Sequence, residues 1–227
     1  MRSHRQIFRS SAVIGSASAV NILIGIAKVK ILAVMLGPAG IGIMGLYQNI
    51  MATATTLTGC GLEGSGVRQI AAAQEDRELL ALMRRALWWA NVLLGAIGMS
   101  LLWLLREPLA QWVFHDIAYA GQIGWLGLGV FLSLLVSARM AWLQGMRQIG
   151  DVAKVNILGA LLGASLGVTL VWLFGTAAIH WFVIAAPASS LVFAHWYAGR
   201  LPGSARAHDW PALARQWRAM FSLGLPL

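Results

Sequence analysis

Two lysines inside an apolar segment have the clearest potential for chemistry in this sequence. Lys28 and Lys30 lie in a stretch of about residues 11–36 that is otherwise uncharged. A charge inside a membrane-spanning helix is costly and indicates a functional site, unless the side chain extends to the membrane surface. Two residues apart on a helix, the lysines point to nearly opposite faces, and Lys28 shares a face with Asn21, seven residues earlier. Each lysine therefore either lines a cavity or reaches the surface.

A second polar pattern follows in the next apolar segment. Asn49, Thr53 and Thr56 are spaced four and three residues apart, which places them on one face of a helix, and Gln48 is adjacent. Such a stripe either lines a polar lumen or forms hydrogen bonds between helices. Together the two patterns give five candidate substrate-binding residues, which are Lys28, Asn21, Asn49, Thr53 and Lys30.

Other familiar chemistries are excluded by spacing or context. Residues 59–64 (GCGLEG) match the glycine pattern of dinucleotide-binding loops, but they end an apolar helix rather than follow a strand. The five histidines have no metal-ligand spacing, so we expect neither a metal nor another cofactor. The apolar segments contain no pair of carboxylates that would hold a metal and activate a nucleophile. The sequence therefore does not indicate an enzyme.

The elements that carry these residues are predicted to be membrane helices. Of 227 residues 59% are hydrophobic and 11% are charged, and mean hydropathy is +0.71. These values argue against a soluble or disordered protein. The apolar segments are too long for the strands of a membrane barrel. We predict an all-α, polytopic fold with spans at about 11–36, 41–62, 86–105, 119–143, 155–174 and 177–198.

The positive charges predict the orientation of these spans. Net charge is +9, which in a soluble domain would suggest nucleic acid. With a cytoplasmic amino terminus, Arg106 alone falls outside and Lys28 and Lys30 fall within a span. The remaining cations fall inside, and they are Arg2, Arg5, Arg9, Arg68, Arg77, Arg84, Arg85, Arg139, Arg147, Lys154, Arg200, Arg206, Arg215 and Arg218. Cytoplasmic loops are enriched in such residues, so we expect no nucleic-acid partner.

The chain divides into three predicted parts. Residues 1–199 form a six-helix transmembrane lobe, and residues 200–218 form a cytoplasmic amphipathic linker. Residues 219–227 resemble the truncated start of a seventh helix, since nine residues are too few to span a membrane. Within the lobe, Gly159, Gly163 and Gly167 line one helix face, which indicates either close packing in the bundle or a sliding surface.

Several motifs resemble one family of membrane transporters. Residues 30–45 (KILAVMLGPAGIGIMG) with Asn49 are similar to the first helix pair of the Wzx-type lipid-linked oligosaccharide (O-antigen) flippases, members of the multidrug/oligosaccharidyl-lipid/polysaccharide (MOP) exporter superfamily. Residues 59–64 with 67–71 (VRQIA) resemble the family's second helix end and following loop. Residues 142–147 (WLQGMR) resemble its turn between the fourth and fifth helices.

The resemblance implies a fold and a function. The fold would be two pseudo-symmetric six-helix lobes around a cavity that opens alternately to each side, of which this chain resembles the first. The function would be movement of an undecaprenyl-pyrophosphate-linked oligosaccharide, used in polysaccharide and lipopolysaccharide synthesis, across the bacterial inner membrane. The implied partners are that substrate, membrane lipids and the polysaccharide polymerase machinery. In this setting Lys28, with Asn21 and Asn49, would bind the phosphates or sugar hydroxyls.

Two other functions remain open. One is a drug exporter related to the multidrug and toxin extrusion (MATE) proteins; a cationic drug calls for acidic groups, and only Glu63 lies near a span. The other is a truncated, non-transporting membrane remnant or assembly partner, since the chain ends within an apolar run.

Overall fold

The computed structural model describes residues 2–201, which form helices joined by short turns, with no strand in that range. Two single turns of 3-10 helix, at Ile117–Tyr119 and Gly175–Ala178, precede longer helices. The α-helices are α1 (Arg2–Gly59), α2 (Leu62–Ala72), α3 (Arg77–Leu104), α4 (Arg106–Phe114), α5 (Ala120–Gly145), α6 (Ile149–Phe174) and α7 (Ile179–Gly199).

One glycine divides α1 into two arms. Gly37 has φ 66° and ψ −175°, outside the helical region, and helix resumes at Pro38. Glycine adopts positive φ without a Cβ clash, and proline suits the first turn of a helix because its missing N–H is not needed there. The sequence pattern indicated a break over residues 37–40, and the structure narrows it to Gly37. We call residues 2–36 the first arm and residues 38–59 the second arm.

Aspartate side chains cap the helix starts after two of the turns. Asp76 accepts hydrogen bonds from the backbone N–H groups of Glu78 and Leu79, at 3.0 and 3.1 Å. This cap satisfies donors that an α-helix leaves free at its start. Helix α3 consequently begins at Arg77, well before the predicted start of the span at about residue 86. Asp116 similarly accepts from the N–H of Ala118, at 2.9 Å, before α5.

The buried core consists of two apolar clusters toward opposite ends of the helices. The cluster nearer α2 includes Leu62, Ile70, Leu87, Trp142 and Ala194. The cluster nearer α4 includes Leu32, Tyr47, Ile123, Ile179 and Phe182. Helix α5 contributes to both clusters and packs against α3 and α7 along its length. It is therefore the central helix of the described bundle.

Helix α6 packs closely on α7 through its glycines. A Cβ built on Gly159 would lie 2.5 Å from Ser190 Oγ, and one on Gly163 would lie 2.9 Å from Ala186 Cα. A Cβ on Gly167 would lie 2.3 Å from the Phe182 ring. Small residues at this spacing let two helix backbones approach each other. The glycine stripe of α6 is therefore closely packed against α7 in the described bundle.

The described residues confirm the predicted all-α fold and are consistent with a polytopic membrane protein. Four segments are long and apolar enough to cross a membrane, at Ser18–Gly59, Glu78–Leu104, Ile117–Gly145 and Ile149–Gly199. The first contains the break at Gly37, and the last contains Gly175, whose φ is 61° and ψ −143°. Residues 202–227, with most of the predicted linker and the predicted start of a seventh helix, lie outside the described residues.

Candidate functional site

A polar cleft lies between the first arm of α1 and helices α6 and α7. Its volume is about 300 Å³. Asn21 and Lys28 contribute from α1, Asn156 from α6, and Phe182 and Ser190 from α7. Small residues of α6 form much of its wall, because the glycines that bring α6 against α7 leave little side-chain volume there. We call this space the Lys28 cleft.

Lys28 has an aromatic neighbour rather than an acidic one. Its Nζ lies 5.5 Å from the centre of the Phe182 ring, within the range of a cation–π contact. In residues 2–201 the recorded ion pairs join Arg106 to Glu107 and Lys154 to Asp151, so Lys28 has no carboxylate partner there. A half-buried ammonium with no counterion leaves its charge available to an anionic ligand.

The other polar groups of the cleft complement that charge. Asn21 Oδ1 is buried and has no hydrogen-bond partner within the described part of the chain. Such a group loses its hydration unless a ligand or water supplies a donor. The amides of Asn21 and Asn156 and the hydroxyl of Ser190 can both donate and accept hydrogen bonds. The cleft therefore offers one cation and mixed hydrogen-bonding groups, which suit phosphate oxygens and sugar hydroxyls.

Lys30 lies away from this cleft. Its side chain is exposed, and it lines none of the four clefts described in this section. The near-opposite directions of residues two apart on a helix account for the separation of Lys30 from Lys28. An exposed lysine on an apolar helix can extend its ammonium along the surface toward the headgroups.

Asn49 and Thr53 also lie apart from Lys28. They border a predominantly apolar cleft of about 380 Å³ between the second arm of α1, α3 and α4, with Leu101 and Leu109 among its walls. The five predicted site residues are therefore not one constellation: Asn21 and Lys28 share a cleft, whereas Asn49 and Thr53 share another. Helical spacing predicted which residues share a face on each arm of α1. It did not predict which other helices pack against each arm.

The predicted polar stripe on the second arm is divided between two clefts. Thr56 borders a third cleft instead of the one with Asn49. Its Oγ1 donates to the backbone carbonyl of Ala52, at 2.9 Å, within the same helix. Threonine commonly forms this bond to the carbonyl four residues earlier. For Thr56, the hydrogen bond is thus local rather than between helices.

The third cleft, of about 440 Å³, gathers polar residues that the sequence patterns did not connect. Glu63 accepts hydrogen bonds from Ser137 Oγ at 2.9 Å and from Gln144 Nε2 at 3.4 Å. Ser133, one turn before Ser137, and the buried Asn91 also border the cleft. In the sequence, the four-residue spacing of the two serines, which places them on one face of α5, was the signal that could have indicated this cleft. Glu63 places a carboxylate at this cleft.

A fourth cleft, of about 490 Å³, lies where the second arm begins and α5 starts. Tyr47 donates a hydrogen bond from its hydroxyl to Gln122 Oε1. Tyr119, which borders the cleft, stacks on Phe114 with ring centres 4.6 Å apart, and Asp116 also borders it. Aromatic rings beside carboxylate and amide groups offer both apolar and hydrogen-bonding surfaces to a polar ligand.

Comparison with known proteins places these features in a family. No solved structure gives a significant match. The chain is 23% identical over 158 residues to a protein named Lipid III flippase from Escherichia coli (strain K12), and it matches the Shigella flexneri protein of that name equally well. These alignments cover 68% of this chain and 37% of each relative, so the chain spans well under half of the matched relatives.

The family assignment covers nearly the whole sequence. The model of the polysaccharide biosynthesis protein family matches residues 7–227, which include every helix bordering the Lys28 cleft. The match also includes Glu63 and the glycine stripe of α6. The chain belongs to the polysaccharide biosynthesis protein family.

Proposed function

We propose that this chain forms the first lobe of a flippase for undecaprenyl-pyrophosphate-linked oligosaccharides, such as an O-antigen repeat unit. The observation that most strongly supports this proposal is the environment of Lys28, a half-buried cation in a polar cleft with no carboxylate partner in the described residues. Membership of the polysaccharide biosynthesis family and similarity to proteins named Lipid III flippase support a saccharide-lipid substrate. The protein acts as a transporter rather than an enzyme, and it uses no cofactor.

The cleft suggests how the polar part of such a substrate crosses. The polyprenyl tail stays in the bilayer, and the pyrophosphate enters the Lys28 cleft. Lys28 stabilises the anion, because an unpaired charge in a medium of low dielectric is very costly. Asn21, Asn156 and Ser190 exchange hydrogen bonds with phosphate oxygens or sugar hydroxyls. Asn49 and Thr53, in their separate cleft, contact a different part of the substrate.

The direction of substrate transport follows from the proposed orientation of the chain in the bacterial inner membrane. In the described residues, Arg106 lies at the end of the bundle that contains α4. The opposite end, which contains α2, carries Arg84, Arg139 and Arg200. This asymmetry supports a cytoplasmic location for the arginine-rich ends and for the amino terminus. An inside-negative potential then favours outward movement of an anion by about 2.3 kcal/mol per charge per 100 mV. Rocking of this lobe against a second one provides alternating access.

Complementation tests the proposed function. The natural gene product is expressed in a bacterial strain that lacks its lipid-linked oligosaccharide flippase, with protein level in the membrane measured alongside. Surface polysaccharide should return, and the accumulated lipid-linked precursor should fall. Continued accumulation at a normal membrane level of the protein, across substrates of several sugar compositions, contradicts the proposal.

A drug exporter is the second candidate, and one observation favours it. Glu63 places a carboxylate at a polar cleft, where it could bind a cationic compound. The same strains separate the two functions. Increased resistance to cationic dyes that depends on Glu63, without restored polysaccharide, supports the exporter and contradicts the flippase.

A further inference from the structure

Three basic side chains from three helices meet on one surface of the bundle. They are Arg84 on α3, Arg139 on α5 and His195 on α7. Arg139 Nη2 lies 3.3 Å from His195 Nδ1, and Arg84 is within electrostatic range of both groups. The sequence separations are large, so the cluster exists only because the three helices pack together. We call these residues the basic cluster.

Aromatic rings hold the two guanidinium groups in place. The centre of the Arg139 guanidinium lies 4.0 Å from the Trp88 ring, and that of Arg84 lies 5.5 Å from the Trp142 ring. Each contact joins α3 to α5. A guanidinium over an aromatic face keeps its N–H edge free to donate in its own plane. The rings thus orient donors without neutralising their charge.

The cluster has no counterion within residues 2–201. The ion pairs recorded there involve Arg106 and Lys154, and Glu63 bonds instead to Ser137 and Gln144. Arg139 Nε is buried and has no hydrogen-bond partner among the described residues. Like charges held together repel, and a buried unsatisfied donor costs free energy. Both costs are relieved by an anion with several acceptor oxygens.

The basic cluster does not face the Lys28 cleft. The face of α7 that borders that cleft contains Phe182, Ala186 and Ser190. At about 100° per residue, His195 lies on the opposite face of α7. Exposed apolar side chains flank it, including Val192 and Trp196, which are 61% and 54% exposed. The cluster therefore opens onto the exposed surface of the described bundle, near the ends of its helices.

We propose that the basic cluster binds the phosphate diester of an anionic phospholipid, such as phosphatidylglycerol. Arg84 and Arg139 donate charge-assisted hydrogen bonds to the phosphate oxygens. The Nδ1 atom of His195 accepts from Arg139, which leaves the Nε2–H of the neutral ring as a further donor. The acyl chains lie along the exposed apolar surface of α7. Basic pockets between membrane helices bind lipid headgroups in this way. This lipid is a resident ligand and is distinct from the transported substrate.

Thermal unfolding of the purified natural protein tests the inference. Short-chain phosphatidylglycerol, short-chain phosphatidylcholine and inorganic phosphate are titrated separately. Phosphatidylglycerol should raise Tm with a saturable midpoint, and the other two should not. An equal shift with phosphatidylcholine would overturn the proposal, and so would an equal shift with inorganic phosphate at the same concentrations, which would mark a site for free phosphate.

Two variants and a control locate the effect. The double variant Arg84→Gln/Arg139→Gln should weaken phosphatidylglycerol binding by about tenfold or more, because it removes charge-assisted bonds. The single variant Arg84→Gln retains Arg139 in its packed position and should still weaken phosphatidylglycerol binding measurably. It provides the test if the double variant does not fold. Arg147→Gln, at an exposed turn, should leave the midpoint unchanged. Unchanged binding in Arg84→Gln overturns the assignment.

Discussion

The ammonium of Lys28 lies 5.5 Å from the centre of the Phe182 ring, a contact that joins α1 to α7 across a polar cleft. The ring stabilises the half-buried charge from one side without consuming it in an ion pair. A lysine with a carboxylate neighbour would already be neutralised. Lys28 instead presents a cation beside Asn21, Asn156 and Ser190, and the proposed binding of a pyrophosphate follows from that arrangement.

Removal of the Lys28 charge should weaken binding of an anionic substrate. We expect Lys28→Gln to reduce the affinity of the purified protein for an undecaprenyl-pyrophosphate-linked saccharide by about tenfold, the loss of one charge-assisted hydrogen bond. Lys30→Gln is the matched control, because Lys30 is exposed and outside the cleft. Titration by intrinsic tryptophan fluorescence measures both. Equal affinities of the two variants would show that Lys28 does not contribute to substrate binding.

Close packing of α6 on α7 should make Gly163 sensitive to a methyl group. A Cβ there would lie 2.9 Å from Ala186 Cα, and backbone cannot move aside as a flexible side chain can. We expect Gly163→Ala to lower the free energy of unfolding by about 1–3 kcal/mol. Gly150→Ala is the control, since a Cβ at Gly150 meets nothing within 4 Å. Chemical denaturation in mild detergent compares them, and equal stabilities would refute the packing role.

The break in α1 should depend on glycine at residue 37. Its φ of 66° with ψ of −175° is a backbone conformation open essentially to glycine alone, and it costs other residues about 1–3 kcal/mol. Gly37→Ala should therefore lower stability by that amount. Gly42→Ala, in regular helix with open space at its Cβ, should be neutral or stabilising. Thermal scans of both variants provide the measurement. A Gly37→Ala protein as stable as the wild type would show that the break tolerates a side chain.

The cap of α3 should contribute measurably to stability. Asp76 accepts from two backbone N–H groups, and Asp76→Ala leaves both unsatisfied. Loss of such a cap costs about 0.5–2 kcal/mol. Glu75→Ala removes the same charge at the neighbouring position without removing the cap. Hydrogen exchange of the first turn of α3 should rise in Asp76→Ala alone; protection that is the same in both variants would contradict the capping role.

The architecture was largely predictable because it depends on local properties. Apolar length indicated membrane helices, and positive φ at Gly37 and Gly175 falls where the apolar pattern was interrupted. The start of α3 was not predicted, because an aspartate cap extended a helix into a charged stretch that lacks apolar periodicity.

The sites were less predictable because they depend on which helices meet. Lys28 and Asn21 share a helix face, so their proximity followed from spacing alone. The other residues of the cleft come from distant parts of the chain and meet Lys28 and Asn21 only because the helices pack together. They are Asn156, Phe182 and Ser190. The same holds for Glu63 with Ser137, separated by 74 residues. Spacing within one helix carries no information on such contacts.

Transport in reconstituted vesicles tests the central claim most directly. The natural protein is inserted into liposomes with a labelled undecaprenyl-pyrophosphate-linked oligosaccharide, and a membrane-impermeant reagent reports its leaflet distribution over time. The account predicts that the protein accelerates transfer between leaflets, that Lys28→Gln lowers the rate by about tenfold, and that Lys30→Gln retains it. No acceleration by the correctly inserted wild-type protein, or equal rates for wild type and Lys28→Gln, would contradict it.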